Sequence, residues 1–228
     1  MRIIAHSAAL SAFLLFSGWA HGAENEAAAP FPIASVHFEQ NATDGDKEVV
    51  FQVKADTEGL DELIIRSPDG RTVVAFKAPD ASTLGMRQFR FETPEPGEAK
   101  ALKAAFPEGA YEFSGRTTSG KTLVGTSTLN LRLPATATFT KPAPEAENVP
   151  IKNFKMSWSA VKDVAAYIVT IDQQELDASF MVRLPGSSTS FAVPDGFLVG
   201  GTEYKMAIGT VTREGNISFV ESTFTTAK

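Results

Sequence analysis

Apolar and polar residues alternate along most of the chain beyond residue 32. That period of two places successive side chains on opposite faces of a strand. In the first half, Ala34-Ser35-Val36-His37-Phe38 alternates, and Glu48 to Lys54 does so with Val49, Phe51 and Val53 on one face. Leu63-Ile64-Ile65 runs into Ser67-Pro68-Asp69-Gly70, a turn signal, and Thr72-Val73-Val74-Ala75-Phe76 follows. These two runs predict a hairpin. Arg87-Gln88-Phe89-Arg90-Phe91 alternates again. Between Glu98 and Phe106 the period changes: Ala99, Leu102, Ala105 and Phe106 recur at helical spacing, which predicts one short helical turn before Pro107-Glu108-Gly109. Ala110 to Gly115 and Leu123 to Leu131, separated by Thr118-Ser119-Gly120-Lys121, complete seven strand-like runs. Seven short runs with frequent turn signals are the pattern of a Greek-key sandwich, and the helical turn falls where such folds cross between sheets.

Lys141-Pro142-Ala143-Pro144-Glu145-Ala146-Glu147-Asn148 has no periodicity and two prolines. It predicts a stiff linker or the entry to a first strand, and divides the chain into sandwiches over 33–140 and 141–228. In the second part, Phe154-Lys155-Met156-Ser157-Trp158-Ser159 predicts a strand with a large buried indole. Lys162-Asp163-Val164-Ala165-Ala166 leads into Tyr167-Ile168-Val169-Thr170-Ile171, with Tyr167, Val169 and Ile171 on one face. Ser188 to Pro194 is a further strand. Leu198-Val199-Gly200-Gly201-Thr202-Glu203-Tyr204 is a corner, with Met206 and Ile208 continuing the Tyr204 face. Gly215-Asn216-Ile217-Ser218 is a hairpin turn, and Ser222-Thr223-Phe224-Thr225-Thr226 closes the chain.

These six fragments, in this order and spacing, resemble a fibronectin type III domain. The resemblance implies that Trp158, Tyr167, Leu198, Tyr204 and Phe224 are its structural signature, and that the Tyr204 hydroxyl returns to the backbone at the corner. The first part, through Glu108-Gly109-Ala110-Tyr111-Glu112-Phe113, more loosely resembles a bacterial immunoglobulin-like sandwich. It lacks the Trp and the Leu-x-x-Gly-Thr-x-Tyr corner. The expected fold class is all-β, with two tandem immunoglobulin-like or fibronectin type III-like sandwiches.

Met1-Arg2, the apolar stretch from Ile3 to Phe16, and Ala20 and Gly22 before Ala23 have the form of a cleaved signal peptide over 1–22. The apolar run is shorter than the roughly 20 residues that span a bilayer. An Ala-rich leader over 23–32 follows. The expected protein is exported, periplasmic or secreted, with no transmembrane segment after cleavage; the short signal and Ala-rich leader have a bacterial character. The chain has no cysteine, so thiol catalysis, thiolate metal sites, disulfides and a lipid-modified N-terminal Cys are excluded. The formal charge is −6, from 21 basic and 27 acidic residues. A dispersed acidic balance argues against a nucleic-acid partner.

No catalytic or cofactor motif emerges. His37 is the only histidine beyond the signal, and its place opposite Val36 and Phe38 predicts a solvent-facing strand residue. Metal motifs need several His or Cys, and phosphate-binding glycine loops need a following helix. Glu92, Glu95 and Glu98 cluster around Pro94 and Pro96, as a solvated loop would. Asp44-Gly45-Asp46 lacks the fuller acidic repeat of calcium loops and predicts a plain turn. Asn41-Ala42-Thr43 is a formal glycosylation sequon, idle in a bacterial setting. Phe180, Met181, Phe197 and Phe219 are candidate surface contacts, set against the alternative that they cap the core. No catalytic, cofactor or metal residue is expected, and no cofactor. The expectation is a non-enzymatic exported envelope protein, a binding or structural module that contacts a protein or glycan. The alternatives are an accessory subunit, an enzyme with an unrecognised site on the first domain, or a periplasmic chaperone. Ligand, interdomain orientation and oligomeric state are not encoded in any motif.

Overall fold

The computed structural model describes residues 27–80, 85–94 and 99–228. The expected signal peptide, the first part of the leader, and Glu95 and Glu98 lie outside the described residues. Strands β1 (Ala29–Pro30), β2 (Ile33–Asn41), β3 (Lys47–Lys54), β4 (Leu60–Arg66), β5 (Thr72–Lys77) and β6 (Gln88–Glu92) are followed by helix α1 (Ala99–Ala105). Then come β7 (Gly109–Thr117), β8 (Thr122–Leu129), β9 (Phe139–Lys141), β10 (Ala146–Val149), β11 (Lys155–Trp158) and β12 (Ala166–Gln173). The last four are β13 (Ala178–Pro185), β14 (Ser190–Ala192), β15 (Glu203–Val211) and β16 (Ile217–Thr226). The predicted hairpin and helical turn of the first half are present as β4–β5 and α1.

Each half folds as a three-stranded layer packed on a four-stranded layer. In the first, β2-β3-β6 faces β8-β7-β4-β5; in the second, β9-β11-β14 faces β16-β15-β12-β13. The two orders are the same. Both halves therefore have the Greek-key arrangement of immunoglobulin-like and fibronectin type III-like sandwiches. Their opening strands differ. The first half pairs β1 parallel to β8 and only then crosses to pair β2 with β3. The second pairs β9 with β11 first and then crosses so that β10 runs parallel to β16.

Alternation explains the cores. Val36, Phe38, Val49, Phe51 and Val53 point inward from one layer, and Leu63, Ile65, Tyr111 and Phe113 from the other. Leu102 of α1 plugs the same core. In the second half Trp158 and Met156 meet Tyr167, Val169, Ile171, Tyr204, Met206, Ile208 and Phe224. The backbone N–H of Val199 donates to the Tyr204 hydroxyl at 2.8 Å, the corner bond implied by the resemblance. Tyr111 makes a corner that the missing Leu-x-x-Gly-Thr-x-Tyr motif had concealed: its hydroxyl donates to the Pro107 carbonyl at 3.0 Å, four residues upstream.

The second core already includes Ala137 and Phe139. The crossing between sandwiches thus lies before the Pro142-Pro144 stretch, and a division at 140/141 cuts through β9. The reason is local. Phe139 carries the apolar side chain that the first strand needs, while Pro142 and Pro144 mark the crossing from β9 to β10.

The two sandwiches are not beads on a string. β16 of the second pairs in parallel with β2 of the first, with Ile217 opposite Glu39, Ser218 opposite Gln40 and Phe219 opposite Asn41. One sheet consequently runs β13-β12-β15-β16-β2-β3-β6 through both halves. Without this pairing, β2 and this end of β16 would each present unpaired backbone groups.

Candidate functional site

Asn216 is the centre of the joint. It is 2 % exposed. Its Oδ1 accepts the Phe38 N–H at 2.9 Å. Its Nδ2 donates to the Asn130 carbonyl at 2.9 Å and the Arg132 carbonyl at 2.8 Å, and lies 3.0 Å from the Asn130 side-chain oxygen. One side chain thereby ties the β15–β16 turn to β2 and to the crossing segment. Ser218 extends the network: Gln40 Nε2 donates to its hydroxyl at 2.9 Å, and that hydroxyl donates to the Pro134 carbonyl at 2.8 Å. Thr210 Oγ1 donates to the Ala135 carbonyl at 2.8 Å. Beyond the parallel register, the Ala42 N–H donates to the Phe219 carbonyl and the Glu221 N–H to Thr43 Oγ1, both at 2.8 Å. Buried polar groups satisfied this fully hold a joint in one arrangement.

The joint makes the outward faces of two sandwiches into one surface. From the second sandwich come Met181 and Arg183 on β13, Ile168 and Thr170 on β12, Ala207 and Gly209 on β15, and Ile217, Phe219 and Glu221 on β16. Strand pairing aligns Arg183, Ile168, Gly209, Phe219 and Asn41 across five strands. A Cβ at Gly209 would lie 2.6 Å from the Phe219 ring, so glycine is what lets that ring lie across β15. From the first sandwich come His37 and Glu39 on β2, Glu48 on β3, and Arg90 and Glu92 on β6, with Glu39 opposite Glu48.

Two adjoining hollows occupy this face and share Glu39 and Phe219. The first, ≈ 370 Å³, has four carboxylates in its lining, Glu39, Asp46, Glu48 and Glu221, against Lys47. The second, ≈ 580 Å³, is lined by Ile168, Met181, Val211, Ile217 and Phe219, with Arg90, Arg183 and Glu214 among its charged groups.

The electrostatics are those of crowded acids. Burial first, then the Glu92 and Glu39 carboxylates and a smaller push from Asp46, together lift the Glu48 carboxyl to about 7 against the opposing Arg90. Arg90 is shared by others: it pairs with Glu92 and lies 3.8 Å from Glu39. Lys205 holds Glu221 at 2.7 Å. Among the described residues, no ion pair holds Asp46 or Glu48.

His37 departs from its expected solvent-facing position. It does lie opposite Val36 and Phe38, yet it is only 6 % exposed, with Nε2 3.2 Å from Glu39 Oε2. The β15–β16 turn covers it: a Cβ at Gly215, whose φ is +100°, would sit 3.7 Å from the His37 Cβ. A neighbouring sandwich has replaced solvent.

The four aromatic and Met candidates divide in two. Phe180 and Phe197 pack on each other, on Phe191 and on Tyr204 at the edge of the second core. Met181, 69 % exposed, and Phe219 lie on the shared face. All five signature residues, Trp158, Tyr167, Leu198, Tyr204 and Phe224, are buried. Asp44-Gly45-Asp46 is a turn in which Asn41 Nδ2 donates to Asp44 Oδ2 and Asp44 Oδ1 accepts the Asp46 N–H. Glu92 belongs to the shared face through Arg90. Among the described residues no group of three or more His, Asp or Glu is arranged to hold a metal ion, and no helix is long and apolar enough to cross a membrane.

Glu39, Glu48, Arg90 and Asn216 went unmarked in the sequence. The first three read as the polar side of alternating strands, and Asn216 as a turn residue. The signal available for Asn216 was slight: an Asn after the glycine of the last hairpin.

No family model and no curated protein matches the chain. Among solved structures, it is similar to the fibronectin(III)-like modules of Clostridium thermocellum CbhA, at 12% identity and TM-score 0.34, covering 86% of this chain and 91% of that one. It is similar to a two-domain fibronectin type III segment of chicken tenascin, at 15% identity and TM-score 0.32, covering 85% and 98%. It is also similar to the FN1–FN3 domains of chicken CNTN1, at 12% identity and TM-score 0.32, covering 88% and 66%.

Proposed function

We propose that the chain is a non-enzymatic, exported binding module of the bacterial envelope, and that the face shared by its two sandwiches is its contact surface for a protein or glycan. Sandwiches of this kind commonly serve as binding or structural units, and fold alone does not choose a ligand. The observation that carries the reading is the joint. Sheet pairing and the Asn216 network present both hollows in one fixed arrangement, which lowers the ordering cost of binding. The exposed Met181 and the Phe219 ring between charged groups supply the apolar centre and polar rim of a contact surface.

The test is affinity capture from an envelope fraction with the full mature chain, beside a hydrolase panel. Stoichiometric recovery of a protein or glycan is the expected result. Turnover of a panel substrate that disappears when one carboxylate is changed would overturn it in favour of an enzyme.

A further inference from the structure

Resting on that reading, we infer that the shared face takes an extended polypeptide segment that carries a Lys or Arg beside an apolar side chain. The cation occupies the acidic hollow and the apolar side chain the neighbouring one.

The backbone at this place is already used. β16 and β2 are interior strands of the joined sheet, so a partner cannot add a strand here and recognition falls to side chains. The two hollows differ in chemistry and touch. The acidic one gathers Glu39, Asp46, Glu48 and Glu221 against Lys47 alone in its lining, and the cations beside it are committed: Lys205 to Glu221, and Arg90 to Glu92 and Glu39. Asp46 and Glu48 are left as the acids that a partner's cation would meet. Crowding of like charge raises the energy of the ionised hollow, and an incoming ammonium or guanidinium relieves it. The other hollow offers Met181 and the Ile168–Phe219 surface at its floor. Methionine adapts its shape to apolar partners. The second hollow sets Arg90 and Arg183 against Glu39 and Glu214, so it lacks the acidic excess that draws a cation to the first.

The probes are two fluorescein-labelled octapeptides, one alternating Lys and Leu, one alternating Glu and Leu, titrated by fluorescence anisotropy against the mature chain at low salt. The Lys–Leu peptide is expected to bind, to weaken with added salt, and to bind more tightly at pH 8 than at pH 5.5 as Glu48 ionises. The Glu–Leu peptide is expected not to bind. The double variant Asp46→Asn/Glu48→Gln should weaken Lys–Leu binding at least tenfold, and Met181→Ser at least threefold. Met181 is exposed, so the second variant tests the face without disturbing the core. Equal binding of both peptides, no binding of either, or Lys–Leu binding indifferent to these variants would overturn the assignment. So would binding of a chito-oligosaccharide at this face that the Lys–Leu peptide does not displace. If envelope capture recovers a partner regardless of these variants, the groove assignment fails and the binding reading stands. If capture recovers nothing while turnover appears, the broader reading fails as well.

Discussion

Single side chains decide how firmly the two halves hold together and what the joint costs. Asn216 satisfies a buried N–H of β2 and two carbonyls of the crossing segment at once. An Asn216→Ala substitution leaves these groups without partners, and denaturant unfolding should show a loss of about 2–3 kcal/mol. Asn216→Asp keeps the acceptor for Phe38 but sets a carboxylate against three oxygens. It should be worse than alanine at pH 8 and recover as the pH is lowered. Trp158 poses a different question. It is buried between the layers, and its Nε1–H has no hydrogen-bond partner. Trp158→Ala should cost roughly 3–5 kcal/mol as a cavity opens, whereas Trp158→Phe, which removes the unpartnered N–H, should cost less than half as much in the same measurement.

Among the elements, β3 carries a pH dependence through Glu48. The Glu48 carboxyl is raised to about 7 from an ordinary 4.5. The folded chain therefore holds this proton more tightly than the unfolded chain. Stability from this group is fully present below about pH 4.5 and is lost as the pH rises to about 7. Glu48 is only partly buried, so solvent screens part of this penalty. Glu48→Gln should stabilise the protein by about 1 kcal/mol at pH 8, after solvent screening, and by nothing at pH 4. Thermal melts at the two pH values check the sign. Arg90 opposes the shift, so Arg90→Gln should push the same inflection to higher pH.

Across the whole molecule, one sheet through both sandwiches couples their stability. Calorimetry of the chain should show a single transition, and Asn216→Ala should separate or broaden it as the joint weakens. A fragment beginning near Ala137 retains every residue of the second core. It should fold, but with the joint end of β16 unpaired. Sedimentation should show it self-associating more than the intact chain, since an uncovered edge is a template for pairing. A fragment beginning at Pro142 lacks Phe139 and should be the less stable of the two.

Much of this architecture was written in short-range pattern. Period-two alternation placed the strands, because a pleated strand sends Val49, Phe51 and Val53 to one side whatever lies beyond. Trp158 and Tyr204 marked the second core because their size and spacing suit one kind of corner. The break in period at Ala99 to Phe106 marked the helix. The Tyr111 corner was legible only in its Tyr and the Pro four residues before, without the accompanying motif. Of the shared face, only Met181 and Phe219 were marked in the sequence, as candidate surface contacts. His37, Glu39 and Glu48 carry the signature of a solvent face, and alternation distinguishes inside from outside a sandwich but not solvent from a second sandwich. That distinction came from β16 meeting β2, a pairing between residues some 180 positions apart with no pattern of its own along the chain. The chain's local periodicity sufficed for two sandwiches. Their fusion into one sheet, the burial of His37 and the acidic hollow beside an apolar one arose from a tertiary contact, because backbone hydrogen bonds between edges depend on where the edges lie and hardly at all on which side chains they carry.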